Sequence, residues 1–108
     1  MKKQETILQF GGGKFIRSFA DLFIQDANDS GQDIGSVVVV QSTDGKRAEY
    51  INEQNGRYHV LIRGIQDGKQ VDEIQVVGSI SRALTAQNQW EQILDLAASP
   101  DIRIILSN

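Results

Sequence analysis

Three adjacent glycines followed by a cation, Gly11-Gly12-Gly13-Lys14, with Arg17 one turn further on, form the segment best suited to chemistry. Glycine reaches backbone angles closed to other residues and lets a ligand come close to the main chain. Where such a run opens a helix, the first-turn N–H groups lack intrahelical acceptors, and the macrodipole adds roughly half a positive charge. A pyrophosphate placed there is held by geometry and field together. In this reading Gly11 makes the turn, Gly13 allows the close approach, and Lys14 and Arg17 add mobile charge. Short glycine clusters also occur in turns that bind nothing, so the surrounding elements must decide.

Those elements are legible. The mostly apolar run Thr6 to Phe10 is short and stops at the glycines, which predicts a buried strand. From Lys14 to Asn28 the period changes: Phe15, Ile16, Phe19, Leu22, Phe23 and Ala27 share one helical face, with Arg17, Asp21 and Gln25 opposite. Asn28 to Gly31 ends that helix with turn formers. Ser36 to Gln41 carries four consecutive valines, the signature of a strand covered on both faces of a parallel sheet. Strand, glycine turn, helix and strand make a βαβ unit, which gives the glycines their meaning. A short helix over Lys46 to Glu53 follows, then two β segments, Tyr58 to Arg63 and Glu73 to Arg82, around a turn at Asp67-Gly68. Asn88 to Ala98 has helical spacing and ends before Pro100, and Ile102, Ile104, Ile105 and Leu106 predict another buried strand. The expected fold is α/β: a Rossmann-like doubly wound sheet, mainly parallel, with an antiparallel β excursion, and incomplete at its C-terminus.

Composition narrows the chemistry. At 108 residues, 40% hydrophobic, the chain suits one modest core. A net charge of -3 without a basic run argues against nucleic acid, so anionic ligands must be held locally. There is no cysteine and one histidine, His59, so no disulfide framework and no zinc or iron site is expected. No signal-peptide or membrane-length apolar run is visible, which makes the cytoplasm the expected compartment and a membrane an unexpected partner.

The third position of the usual G-x-G-x-x-G pattern is Ile16, not glycine. The whole segment Gln9-Phe10-Gly11-Gly12-Gly13-Lys14-Phe15-Ile16-Arg17-Ser18 instead resembles the G-x-G-x-F-x-R turn of the mannitol dehydrogenase family, the polyol-specific long-chain dehydrogenases. Phe15 and Arg17 match in place. The likeness continues through Val37 to Val40, Leu61-Ile62-Arg63-Gly64, Ser79 to Arg82 and the closing Leu106-Ser107-Asn108, and is strongest to the branch acting on hexuronates. The resemblance implies hydride transfer between NAD and a small sugar acid or polyol, with catalytic residues in a helical C-terminal domain. Residues 1–108 are then expected to be the N-terminal dinucleotide-binding domain of a longer chain, inactive alone; no catalytic residue is named and the oligomeric state is left open.

The expected cofactor contacts are Phe10 through Arg17 at the turn, Gln41 and Asp44 at the second strand, and Ser107 and Asn108 at the carboxyl end of the last strand. A ribose-binding acid belongs near Gln41; the first acid beyond it is Asp44, while Asp33 precedes the strand. Lys46 and Arg47 suit a 2'-phosphate, so the residues alone leave NAD and NADP equal, and only the resemblance implies NAD. His59 reads as an ordinary surface or hydrogen-bonded histidine ahead of a proton carrier, Arg63 and Arg82 as solvated strand-end arginines ahead of contacts to an anionic substrate, and Trp90 as filling the core or a groove. A non-catalytic nucleotide sensor is the competing reading, and a methyltransferase fits less well because Gln41 offers a ribose no carboxylate.

Overall fold

The computed structural model describes residues 3–43 and 45–107, without the side chains of Lys14, Phe15, Ser18 and Phe19. The chain runs β1 (Glu5–Phe10), α1 (Lys14–Asp29), β2 (Ser36–Gln41), α2 (Arg47–Glu53), β3 (Tyr58–Gln66), β4 (Lys69–Val77), β5 (Ile80–Thr85), α3 (Trp90–Ala97) and β6 (Ile104–Ser107). Four strands form a wholly parallel sheet in the order β5-β2-β1-β6, and β3 with β4 forms a separate antiparallel ribbon. The apolar runs of β1 and β2 are buried on both faces. One face packs Ile7, Val37 and Val39 with Ile24 of α1 and Ala48 and Ile51 of α2; the other packs Leu8, Val38, Val40 and Leu84 with Ile93 of α3. Helices on both faces of a parallel sheet are the doubly wound arrangement that the valine run implies.

Several elements differ from the sequence reading. The segment Glu73 to Arg82 is not one strand: it breaks at Gly78-Ser79, so β4 stays in the ribbon and β5 joins the parallel sheet beside β2. The ribbon's turn is tight, with Gln66 paired to Lys69 across Asp67 (φ 53) and Gly68 (φ 76), the two positive angles of a type I′ hairpin. Among the described residues β6 pairs with β1, and within residues 1–108 Ile104 and Ile105 are exposed. Trp90 lies at the first position of α3 and is 51% exposed, because the short helix presents Ile93 and Leu96 to the sheet instead.

Helix α1 differs in which face it buries. Asp21, expected on the solvent face, is completely buried, whereas Phe23, expected in the core, is 63% exposed. The polar stripe is covered by the ribbon and the segment after it. The Tyr58 hydroxyl donates to the Arg17 carbonyl (2.7 Å), the Gly78 amide to Gln25 (2.8 Å), and the Ser79 hydroxyl to the Asp21 carbonyl (2.8 Å). Periodicity locates an amphipathic helix but does not tell which face a later element will cover. Among the described residues, no helix is long and apolar enough to cross a membrane, and no cluster of His, Asp and Glu with metal-ligand spacing occurs.

Candidate functional site

Where β1 and β2 release the chain at their carboxyl ends, a cleft of about 670 Å³ opens between the glycine turn, the β2–α2 loop and α2. β1 is flanked by β2 on one side and β6 on the other, so the turn after β1 lies at the topological switch point, where open α/β sheets bind ligands. The cleft is lined by Gly11, Gly12 and Gly13, by the cations Arg17, Lys46 and Arg47, and by Tyr50, with no carboxylate among its described walls. That charge pattern suits an anion.

Gly11 has φ 108, an angle that strains any other residue; its amide donates to the Val40 carbonyl (2.9 Å) and its carbonyl accepts from the Gln9 side chain (3.1 Å). The close-approach role assigned to Gly13 belongs to Gly12. A Cβ there would lie 3.1 Å from Val39 Cγ1 and 3.2 Å from Arg47 Cδ, whereas Gly13 has φ -66 and ψ 166, open to most residues. Gly13 is the N-cap of α1 and no side chain caps the helix, so no described residue accepts from the Gly12 or Gly13 amide. The first intrahelical bond comes only at Arg17, whose amide donates to Gly13 (3.2 Å). Those uncapped amides are what a diphosphate needs.

The other expected contacts divide. Arg17 reaches the cleft and its guanidinium lies 5.2 Å over the Tyr58 ring. Ile16 is buried, and Phe10 packs with the α3-side core, so neither side chain lines the cleft. Ser107 is exposed at the carboxyl end of β6, in register with Phe10, on the opposite side of the switch point from the cleft. Asp44 and Asn108, and the side chains of Lys14 and Phe15, lie outside the described residues. Arg82 is not a solvated strand end: it pairs bidentately with Glu5 (3.0 and 3.2 Å), which also accepts from Ser81. Arg63 and His59 are exposed, and Arg63 has only a loose pairing with Asp72 at 3.8 Å. Asp33, before β2, pairs with Lys3, which holds its carboxyl below the usual range.

Gln41 lines the cleft but faces its own loop. Its amide donates to the Thr43 and Gly45 carbonyls (2.7 and 3.0 Å), and its oxygen accepts from the Ala48 amide (2.6 Å). This explains why an amide, and no acid, ends β2: two carbonyls demand two donors. Gln41→Glu is therefore expected to lower stability by about 2 kcal/mol at neutral pH, since two bonds are lost and a charge meets two carbonyl oxygens. Denaturant unfolding of the two proteins measures the difference, and equal midpoints refute it.

Behind the turn lies a polar group that the sequence reading missed. Gln9, completely buried, donates to both the Gly11 carbonyl and the Asp21 carboxylate (3.2 Å). Burial pushes the Asp21 carboxyl up from 3.8 to about 6, against the lowering influence of Gln9 and Arg17. Burial, with the Asp21 charge adding to it, also pushes the Tyr58 hydroxyl up. The signal in the sequence was a glutamine at the penultimate position of a strand whose centre is apolar.

The sequence pattern of the mannitol dehydrogenase Rossmann domain matches residues 5–107. The chain belongs to the mannitol dehydrogenase family. Among relatives, it is 45% identical over 105 residues to the altronate oxidoreductase of Halalkalibacterium halodurans, covering 96% of this chain and 20% of that protein. It is 39% identical over 104 residues to the altronate oxidoreductase of Bacillus subtilis, covering 96% and 22%. The mannitol 2-dehydrogenase of Pseudomonas fluorescens, solved as a ternary complex with NAD and D-mannitol, superposes with a TM-score of 0.85 at 27% identity, over 98% of this chain and 22% of that one. A D-sorbitol dehydrogenase, at 24% identity and TM-score 0.81, shares the fold. This Rossmann domain thus spans about a fifth of the length of its curated relatives. The family resemblance read from the G-x-G-x-F-x-R turn is borne out, and its branch reading agrees with relatives called altronate oxidoreductase.

Proposed function

We propose that residues 1–108 are the N-terminal dinucleotide-binding domain of an NAD-dependent oxidoreductase that interconverts altronate and tagaturonate. The observation that carries this is the glycine turn at the switch point, whose Gly12 and Gly13 amides have no described acceptor and open into a cation-lined cleft. The relatives' name supports the sugar-acid substrate, and NAD in the mannitol 2-dehydrogenase complex supports the cofactor. The turn amides and Arg17 would hold the diphosphate, with the adenosine half over β2 and the nicotinamide half toward β6 and Ser107. When bound, the nicotinamide supplies or accepts the hydride. The catalytic residues are assigned to a helical C-terminal domain, consistent with relatives about five times as long. Lys46 and Arg47 favour no acid-mediated exclusion of a 2'-phosphate, so NAD preference rests on the relatives.

The intact protein is expected to oxidise NADH when given tagaturonate, and to bind NADH more tightly than NADPH in a direct titration. Tighter NADPH binding overturns the cofactor choice. Nucleotide binding without turnover on any hexuronate or polyol favours a sensor, and no nucleotide binding ends the reading.

A further inference from the structure

We propose that Asp21 is a positioning residue for the dinucleotide turn: through Gln9 it holds the Gly11 carbonyl inward and so aims the Gly12 amide at the cleft. The inference rests on the nucleotide-binding reading above and assigns that site a residue that touches no ligand. A trans peptide is planar, so its C=O and N–H point in opposite directions. The Gly11 carbonyl accepts from Gln9 Nε2 at 3.1 Å on the protein side, which turns the N–H of the same peptide, that of Gly12, the other way. Both hydrogens of the Gln9 amide are committed, one to Gly11 and one to Asp21 Oδ2 at 3.2 Å. Without the carboxylate, the amide is free to rotate about its last torsion and release Gly11. Both side chains are fully buried, so water does not substitute readily for either.

Neighbouring elements hold Asp21 in place. Arg17 lies one turn back on α1, Tyr58 comes from β3, and the Ser79 hydroxyl donates to the Asp21 carbonyl. Tyr58 and Arg17 both favour the charged form of the Asp21 carboxyl.

The test uses the intact protein, NADH titration and thermal unfolding, with Asp21→Ala, Asp21→Asn and Gln9→Ala. Asp21→Ala and Gln9→Ala are each expected to raise the NADH Kd by about tenfold, the worth of one aligned hydrogen bond to phosphate. Asp21→Asn keeps an acceptor oxygen for Gln9 and is expected to stay within about threefold of wild type. If Asp21→Ala fails to fold, Gln9→Ala against Asp21→Asn gives the same comparison. A lowered Tm with unchanged Kd in Gln9→Ala and Asp21→Ala overturns the positioning role while leaving nucleotide binding intact. A wild-type protein that binds no NADH overturns both.

Discussion

Gly12→Val is expected to weaken NADH binding by about 100-fold or more, even at a temperature where the variant is fully folded. The first Cβ alone meets Val39 and Arg47 at 3.1 and 3.2 Å, and the two methyls beyond it enter the cleft or force the turn outward. Either way the Gly12 and Gly13 amides lose their line to a phosphate. Two charge-assisted bonds at about 1.5 kcal/mol each amount to a factor of somewhat more than about 100 in affinity. Overpacking against one buried valine costs the fold about 1–3 kcal/mol. Arg47 is exposed and its long side chain can move aside, whereas Val39 cannot. Titration at a temperature where the variant is fully folded separates the two effects; affinity within about threefold of wild type would show that these amides hold nothing.

The second expectation concerns stability and carries the opposite sign. Asp21→Asn is expected to stabilise the fold at pH 7 by about 1–3 kcal/mol. The Asp21 carboxyl is raised in the folded protein from 3.8 to about 6, so the folded state resists its ionisation. At about 1.4 kcal/mol per pH unit, that resistance costs about 3 kcal/mol once the group is charged. The sign follows from linkage: a raised folded pKa gives its full stability below pH 3.8, and this is lost as pH rises through 6. The stability difference between the variant and wild type should therefore grow across pH 4 to 6 and level off above. Urea unfolding at several pH values measures it, and taking the difference cancels carboxyls that titrate alike in both proteins, Asp33 among them. A variant no more stable than wild type at pH 7, with a pH-independent difference, removes the argument. A buried charge that weakens the fold beside a ligand-binding turn fits a residue selected for geometry over stability.

Much of this architecture was legible because the signals were local. The valines of β2, the glycine punctuation after β1 and the 3.6-residue period of α1 each depend on a few neighbours, and each element falls where the sequence places it. The turn motif was legible to family level because Phe15 and Arg17 stand at fixed offsets from Gly11. What escaped was non-local. Asp21 faces inward only because a ribbon more than thirty residues later covers it, and no helical wheel contains that information. The break at Gly78-Ser79 escaped because β4 and β5 are both rich in apolar residues and differ only in which sheet they join. Gln41 was weighed as a ribose contact, whereas its amide is occupied by the loop that it shapes.

The hairpin ribbon has a bearing on how this architecture can vary. Within residues 1–108 every residue from Arg63 to Ile74 is exposed, and the two-residue type I′ turn sets the pleat. Adding or deleting one residue on each strand moves the tip by a single step without altering the pairing nearer the base, where Val77 and Tyr58 are anchored. None of the cleft walls belongs to that stretch. Within residues 1–108, then, the ribbon's length and the phosphate-binding turn share no wall, so a change in one leaves the geometry of the other untouched.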